Sequence, residues 1–138
     1  MGTSFVEYKG FGFWTRDRFL ESWLTALINE LDKLPILETW QKELVEHWRV
    51  QAAIDGGCMA VDLDEFLIDH TRESFLLSLA ENVLDHCDSL AYRTGQLFIA
   101  LLAGKLKTTA SSPIDYLISI LRVRLFTLFE ILRTWNVL

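Results

Sequence analysis

The feature that most restricts this chain is a stripe near its C-terminal end. Ile114, Ile118, Leu121, Leu125, Leu128, Leu132 and Trp135 follow one another at steps of four and three, the spacing that keeps apolar side chains on one seam of a helix. The flanks are apolar as well, through Leu117, Ile120, Val123, Phe126, Phe129 and Ile131. Only Asp115, Ser119, Arg122, Glu130 and Arg133 form a plainly polar band. A helix this apolar must be covered on most of its sides. Three coverings are open: a central position in the domain, a homodimer seam through Ile118, Leu121, Leu125, Leu128 and Leu132, or a membrane. Arg122 and Arg124 disfavour the membrane, because each costs about 2.5–3.5 kcal/mol near the middle of a span.

Helical spacing recurs upstream. Two prolines and seven glycines in 138 residues leave long uninterrupted stretches. Leu20, Trp23, Leu24, Leu27, Leu31 and Leu34 predict a first helix over 16–34, closed by Pro35. Thr15 stands at its N-cap position, with Trp14 and Phe19 at the spacing of a hydrophobic staple. Leu37, Trp40, Leu44, Trp48 and Ala52 mark one face of a second helix over 36–54. Phe75, Leu76, Leu79, Val83, Cys87 and Leu90 mark a third over 72–90, capped by Thr71. A fourth over 95–107 takes Thr94 as its cap. Residues 109–113 read as a linker before the final helix. "DGGCMAVDLDEF" reads as a loop with a short helical turn over 64–68, and residues 1–14 as a short extended segment. The expected fold is all-α: a single-domain bundle of about five helices over 1–138.

Charge narrows the classes of function. A formal net charge of −6 disfavours nucleic acid, whose phosphates need clustered Lys and Arg. Asp55, Asp62, Asp64, Glu65, Asp69, Glu73, Glu81, Asp85 and Asp88 are opposed between 55 and 88 by Arg72 alone. Such a run makes a solvated face or a surface that steers a basic partner. "MGTSFVEYKG" has no signal-type apolar core, and Val6 breaks the myristoylation pattern. With free Cys58 and Cys87, the expectation is a reducing, cytoplasmic setting.

Catalytic motifs are missing from the local sequence. His47, His70 and His86 fall in no metal-binding spacing, and there is no CxxC, so neither metal nor cofactor is expected. The "GFG" of residues 10–12 lacks the spacing of a phosphate loop. Glu43, Glu46 and His47 share one side of the second helix and are the acid–base set of a small helical hydrolase, the enzymatic alternative. "YKGFGFWTRDRF" leaves Tyr8, Phe11 and Phe13 to be covered by the domain or bared to a partner.

Four stretches together carry a resemblance: "YKGFGFWTRDRFLESWLTALINELDKLP" (8–35), "WQKELVEHWRVQA" (40–52), "GGC…DLDEFL" (56–67) and "GQLFIALLAGKL" (95–106). They resemble small uncharacterised bacterial helical proteins that look like the immunity proteins of polymorphic or contact-dependent toxin systems. The resemblance implies a non-enzymatic protein that binds a toxin and blocks it. Asp62, Asp64, Glu65, Asp69 and Glu73 would contact the basic partner, with Tyr8 and Phe11 as anchors.

Overall fold

The computed structural model describes residues 2–53 and 59–106. The chain opens with a hairpin. In β1 (Thr3–Tyr8) and β2 (Phe11–Arg16), buried and less buried side chains alternate along most of each strand, as expected of a sheet with one packed face. The strands pair antiparallel, with Val6 opposite Phe13 and Phe5 opposite Trp14. Their two-residue connection places Lys9 at φ 52° and Gly10 at φ 81°. Two successive positive φ angles define the turn whose twist matches that of paired strands.

Helix α1 (Asp17–Asp32) follows the hairpin directly, α2 (Thr39–Ala52) comes next, and β3 (Ala60–Asp62) then joins the sheet parallel to β1. The sheet order is β2-β1-β3. Ser4 secures this corner: its buried hydroxyl donates to the Asp17 carboxylate and accepts from the Met59 N–H at 3.0 Å. Helices α3 (His70–Leu84) and α4 (Ser89–Leu102) complete the described part.

The all-α expectation is therefore wrong: the described residues form four helices and a three-stranded mixed sheet, an α/β fold and not a helical bundle. The reason is local. Lys9-Gly10 folds the N-terminal segment back on itself, and β3 is too short to display an alternation of its own. The linker at 109–113 and the final helix, with its dimer seam at Ile118, Leu121, Leu125, Leu128 and Leu132, lie outside the described residues.

Helix ends moved for similarly physical reasons. β2 runs on to Arg16, which occupies the N-cap of α1 without a side-chain bond. Thr15 points into the core instead, its hydroxyl 2.9 Å from that of Thr94, and Trp14 turns to the other face of the sheet against Phe5. Asp69 and Asp88 cap α3 and α4 by accepting from the Arg72 and Ala91 N–H groups, at 2.9 and 3.0 Å. α4 thus starts well before Thr94, and Leu90 belongs to it and not to α3.

The apolar faces of α1 and α2 are as the spacing predicts. Leu20, Trp23, Leu24, Leu27 and Leu31 are buried, and so are Trp40, Leu44 and Trp48, while Leu34 falls outside the core. Together with Val6, Phe13, Val61, Leu76 and Phe98 they form one hydrophobic cluster. At its centre Trp23 meets Phe98 edge-on, ring centroids 5.7 Å apart. Gly95 permits that approach, since a Cβ there would lie 2.6 Å from the Trp23 ring and 2.8 Å from Leu84.

Candidate functional site

The acidic segment links β3 to α3. Asp62 ends β3 half-buried, and its carboxylate accepts from the Asp64 N–H at 2.9 Å, bending the chain out of the sheet. A helical turn follows, in which the Phe66 and Leu67 N–H groups both donate to Leu63 O. That turn sends Phe66 and Leu67 into the core and leaves Glu65 and Ile68 outside. Ile68 is 67% exposed, flanked along the chain by Glu65 and Asp69. Arg72 is engaged internally, donating to Phe66 O at 3.0 Å and lying over the Trp40 ring.

Five of the seven residues named from the sequence sit along this segment, and Tyr8 reaches it through space. Glu73, in the first turn of α3, receives Tyr8 Oη at 2.6 Å and Lys9 Nζ at 2.9 Å on one carboxylate oxygen. Asp64 accepts the Lys9 N–H at 3.0 Å, so the hairpin turn is clasped from both sides. Tyr8 is buried at 3% exposure, Phe13 is buried, and Phe11 is half-buried against the core. Asp64, Glu65 and Asp69 face solvent.

The electrostatics of the clasp follow from these contacts. The hydrogen bonds from Tyr8 and then Lys9 hold the Glu73 carboxyl below its ordinary range. Burial first, and then the neighbouring Glu73, pushes the Tyr8 phenol up to about 12. The Lys9 ammonium is raised chiefly by its bond to Glu73. All three groups are shifted away from neutrality, opposite to the tuning of a general acid or base that works near pH 7. The arrangement suits a permanent charge-assisted latch.

The residues of the enzymatic alternative are placed differently. Glu43 and Glu46 are exposed on α2, whereas the His47 ring lies against Phe66, centroids 5.3 Å apart. His47 Nε2 is shielded and has no hydrogen-bond partner among the described residues. Cys87 packs beside the core, where burial raises its thiol. Among the described residues, no group of three or more His, Cys, Asp and Glu side chains could hold a metal ion. The α1 surface and Asp88 enclose an open, polar groove of about 350 Å³. Ser22 there stands 3.2 Å from the Asp88 carboxylate.

Sequence reasoning missed Lys9 and Ile68. The Lys9-Gly10 dipeptide is itself the signal for the first, being turn chemistry between two alternating runs. Ile68 gave a weaker sign, as an isoleucine among carboxylates that belongs to no helical stripe. Comparison with protein-family models, curated proteins and solved structures finds no match to this chain. No helix among the described residues is long and apolar enough to cross a membrane.

Proposed function

We propose that this is a non-enzymatic binding protein of immunity type, which neutralises a cognate basic toxin through the 62–73 segment. The observation that carries the reading is Ile68, an apolar side chain 67% exposed in a segment otherwise lined by Asp64, Glu65 and Asp69. An apolar anchor with a charged surround matches the anatomy of protein interfaces, in which the rim steers the encounter and the centre supplies affinity. The bent path from Asp62 to Asp69 is held by internal hydrogen bonds, so binding would order little new backbone. The same bonds keep the Asp62 and Asp69 carboxylates partly occupied, which leaves Glu65 as the freest charge of the set.

The test uses the product of the gene beside this one as the candidate toxin. Purified together, the two proteins should associate with an affinity that falls steeply with added salt. Glu65→Lys and Ile68→Glu should each weaken binding at least tenfold and abolish protection in a growth assay. Neither residue makes a hydrogen bond or ion pair among the described residues, so folding should survive both changes. Binding that ignores both substitutions, or no association at all, would sink the proposal.

A further inference from the structure

Helix α2 lies alongside the acidic segment, and its contacts fix the alignment. Trp40, at its start, meets Phe75 edge-on with ring centroids 5.6 Å apart, and the Arg72 guanidinium lies over the same indole. Further along, the His47 ring packs against Phe66. Near the end of the helix, Gln51 Oε1 receives the Ala60 N–H at 3.0 Å. Residues 40–51 therefore run antiparallel to residues 60–75, level by level.

Glu43, Glu46, His47 and Val50 share one face of α2, at the i, i+3, i+4 and i+7 spacing of a helix. They include the set that sequence reading offers to a hydrolase, and the geometry gives that set a different use. His47 is tucked against Phe66, whereas Glu43, Glu46 and Val50 are exposed, Val50 at 52%. Neither glutamate makes a hydrogen bond or ion pair among the described residues. Lys42 and Arg49 precede Glu43 and Val50 by one residue and so stand about 100° round the helix from them. Arg49 is moreover paired with Asp32 at 2.9 Å. Across the His47–Phe66 contact, residues 62–73 present the same combination, Glu65 and Asp69 with the exposed Ile68 between them. Two neighbouring rails result, each with exposed carboxylates and an exposed aliphatic side chain, and the α2 rail is about 10 Å long from Glu43 to Val50. Like charges on adjacent elements repel, and a cationic partner turns that repulsion into attraction. The α2 rail is also preorganised, because a capping box between Glu38 and Gln41 fixes the start of the helix.

We infer that the basic toxin is held by both rails. A single cationic segment of the toxin lies over the His47–Phe66 contact, its Lys or Arg side chains reaching Glu43 and Glu46 on one side and Glu65 on the other. Its apolar side chains rest on Val50 and Ile68. This surface depends on the toxin-binding reading of residues 62–73, to which it adds a second element and the chemistry of the partner's contact.

The test uses the full-length chain and titrates it calorimetrically with the product of the adjacent gene, at one fixed salt concentration. Glu43→Lys combined with Glu46→Lys should weaken binding at least tenfold, and Val50→Glu at least fivefold. All three positions are exposed, so the far-UV circular dichroism of these variants should match that of the parent. Glu21→Lys combined with Asp85→Lys makes the same change in net charge on α1 and at the far end of α3, and should leave affinity within twofold. An equal loss in this control would reduce the effect to net charge and overturn the inference. Loss confined to Glu65→Lys and Ile68→Glu would remove the α2 rail and leave the toxin-binding reading standing. No association, or binding indifferent to the changes at Glu65 and Ile68, would overturn both.

Discussion

The phenol of Tyr8 donates to Glu73 at 2.6 Å and ties the hairpin turn to the first turn of α3, across 65 residues of sequence. Lys9 adds a second donor to the same carboxylate oxygen at 2.9 Å. Glu73 also sits where the partial positive charge of the α3 N-terminus favours an anion. One carboxylate therefore joins the β1–β2 turn to a helix that lies far from that hairpin in sequence. Its ionisation state is part of the fold.

Stability should fall at both ends of the pH scale because of this contact. Folding lowers the Glu73 pKa from 4.5, so below that value the unfolded chain holds more protons and stability declines as pH falls through the folded pKa. Tyr8 behaves in the opposite sense. Its pKa rises from 10.0 to about 12, so between those values the folded chain holds more protons, and stability is lost as pH rises. The raised Lys9 adds to the alkaline loss. Urea midpoints from pH 3 to 12 should trace a plateau with both limbs. A flat curve through the alkaline window would contradict the latch.

Tyr8→Phe isolates the bond. A hydrogen bond to a charged group contributes about 1.5–3 kcal/mol, and the ring itself stays in the core. The variant should lose that amount at pH 7 by chemical denaturation, and the Tyr8 part of the alkaline limb should vanish with it. An unchanged midpoint would mean that water replaces the phenol at no cost.

Gly10→Ala tests the turn alone. Nothing lies within 4 Å of a Cβ built there, so the penalty is confined to the backbone at φ +81°. It should be about 1–2 kcal/mol, the cost of a left-handed conformation to a residue with a Cβ. Equal stability of the two proteins would show that the hairpin does not depend on this angle.

What could be read from the sequence depended on how far away the deciding partner lay. Leu20, Trp23, Leu27, Trp40, Leu44 and Trp48 repeat within their own helices, and their burial was predictable from spacing alone. β3 was not, because Ala60, Val61 and Asp62 become a strand by pairing with Phe5, Val6 and Glu7 more than fifty residues earlier. Thr71 and Thr94 competed with Asp69 and Asp88 as caps by equally good local chemistry. Tertiary structure decided the second case, since Thr94 is drawn inward by Thr15. The acidic segment itself was legible in the same partial way. Its charges stand out in the sequence, but that Glu73 turns to Tyr8 while Glu65 faces water depends on the hairpin's fold.

Gly95→Ala should damage the contact between α1 and α4 in a way that helix propensity cannot rescue. Alanine gains up to about 1 kcal/mol in a helix interior. Here its Cβ would stand 2.6 Å from Trp23, a fully buried ring with Phe98 against its edge. Overpacking of this kind costs about 1–3 kcal/mol, so the net change should be destabilising. The near-UV circular dichroism of the tryptophans should shift while the far-UV signal holds. A more stable variant with an unaltered near-UV spectrum would refute the close approach.

Thr15 and Thr94 offer the sharpest energetic test, because their hydroxyls face each other at 2.9 Å in a buried site. Valine matches threonine in shape and lacks the hydroxyl. Thr15→Val alone strands the Thr94 hydroxyl away from water, and Thr94→Val does the reverse. Each single change should cost about 1–3 kcal/mol, the penalty of a buried polar group without its partner. With both replaced, the pair becomes an apolar contact of similar volume, and the double variant should lie close to the parent in stability. The measurement is a double-mutant cycle by urea denaturation, and the signature is strong non-additivity. Additive losses would mean that the two hydroxyls are satisfied independently, by water or by nearby carbonyls, and that they do not hold β2 to α4.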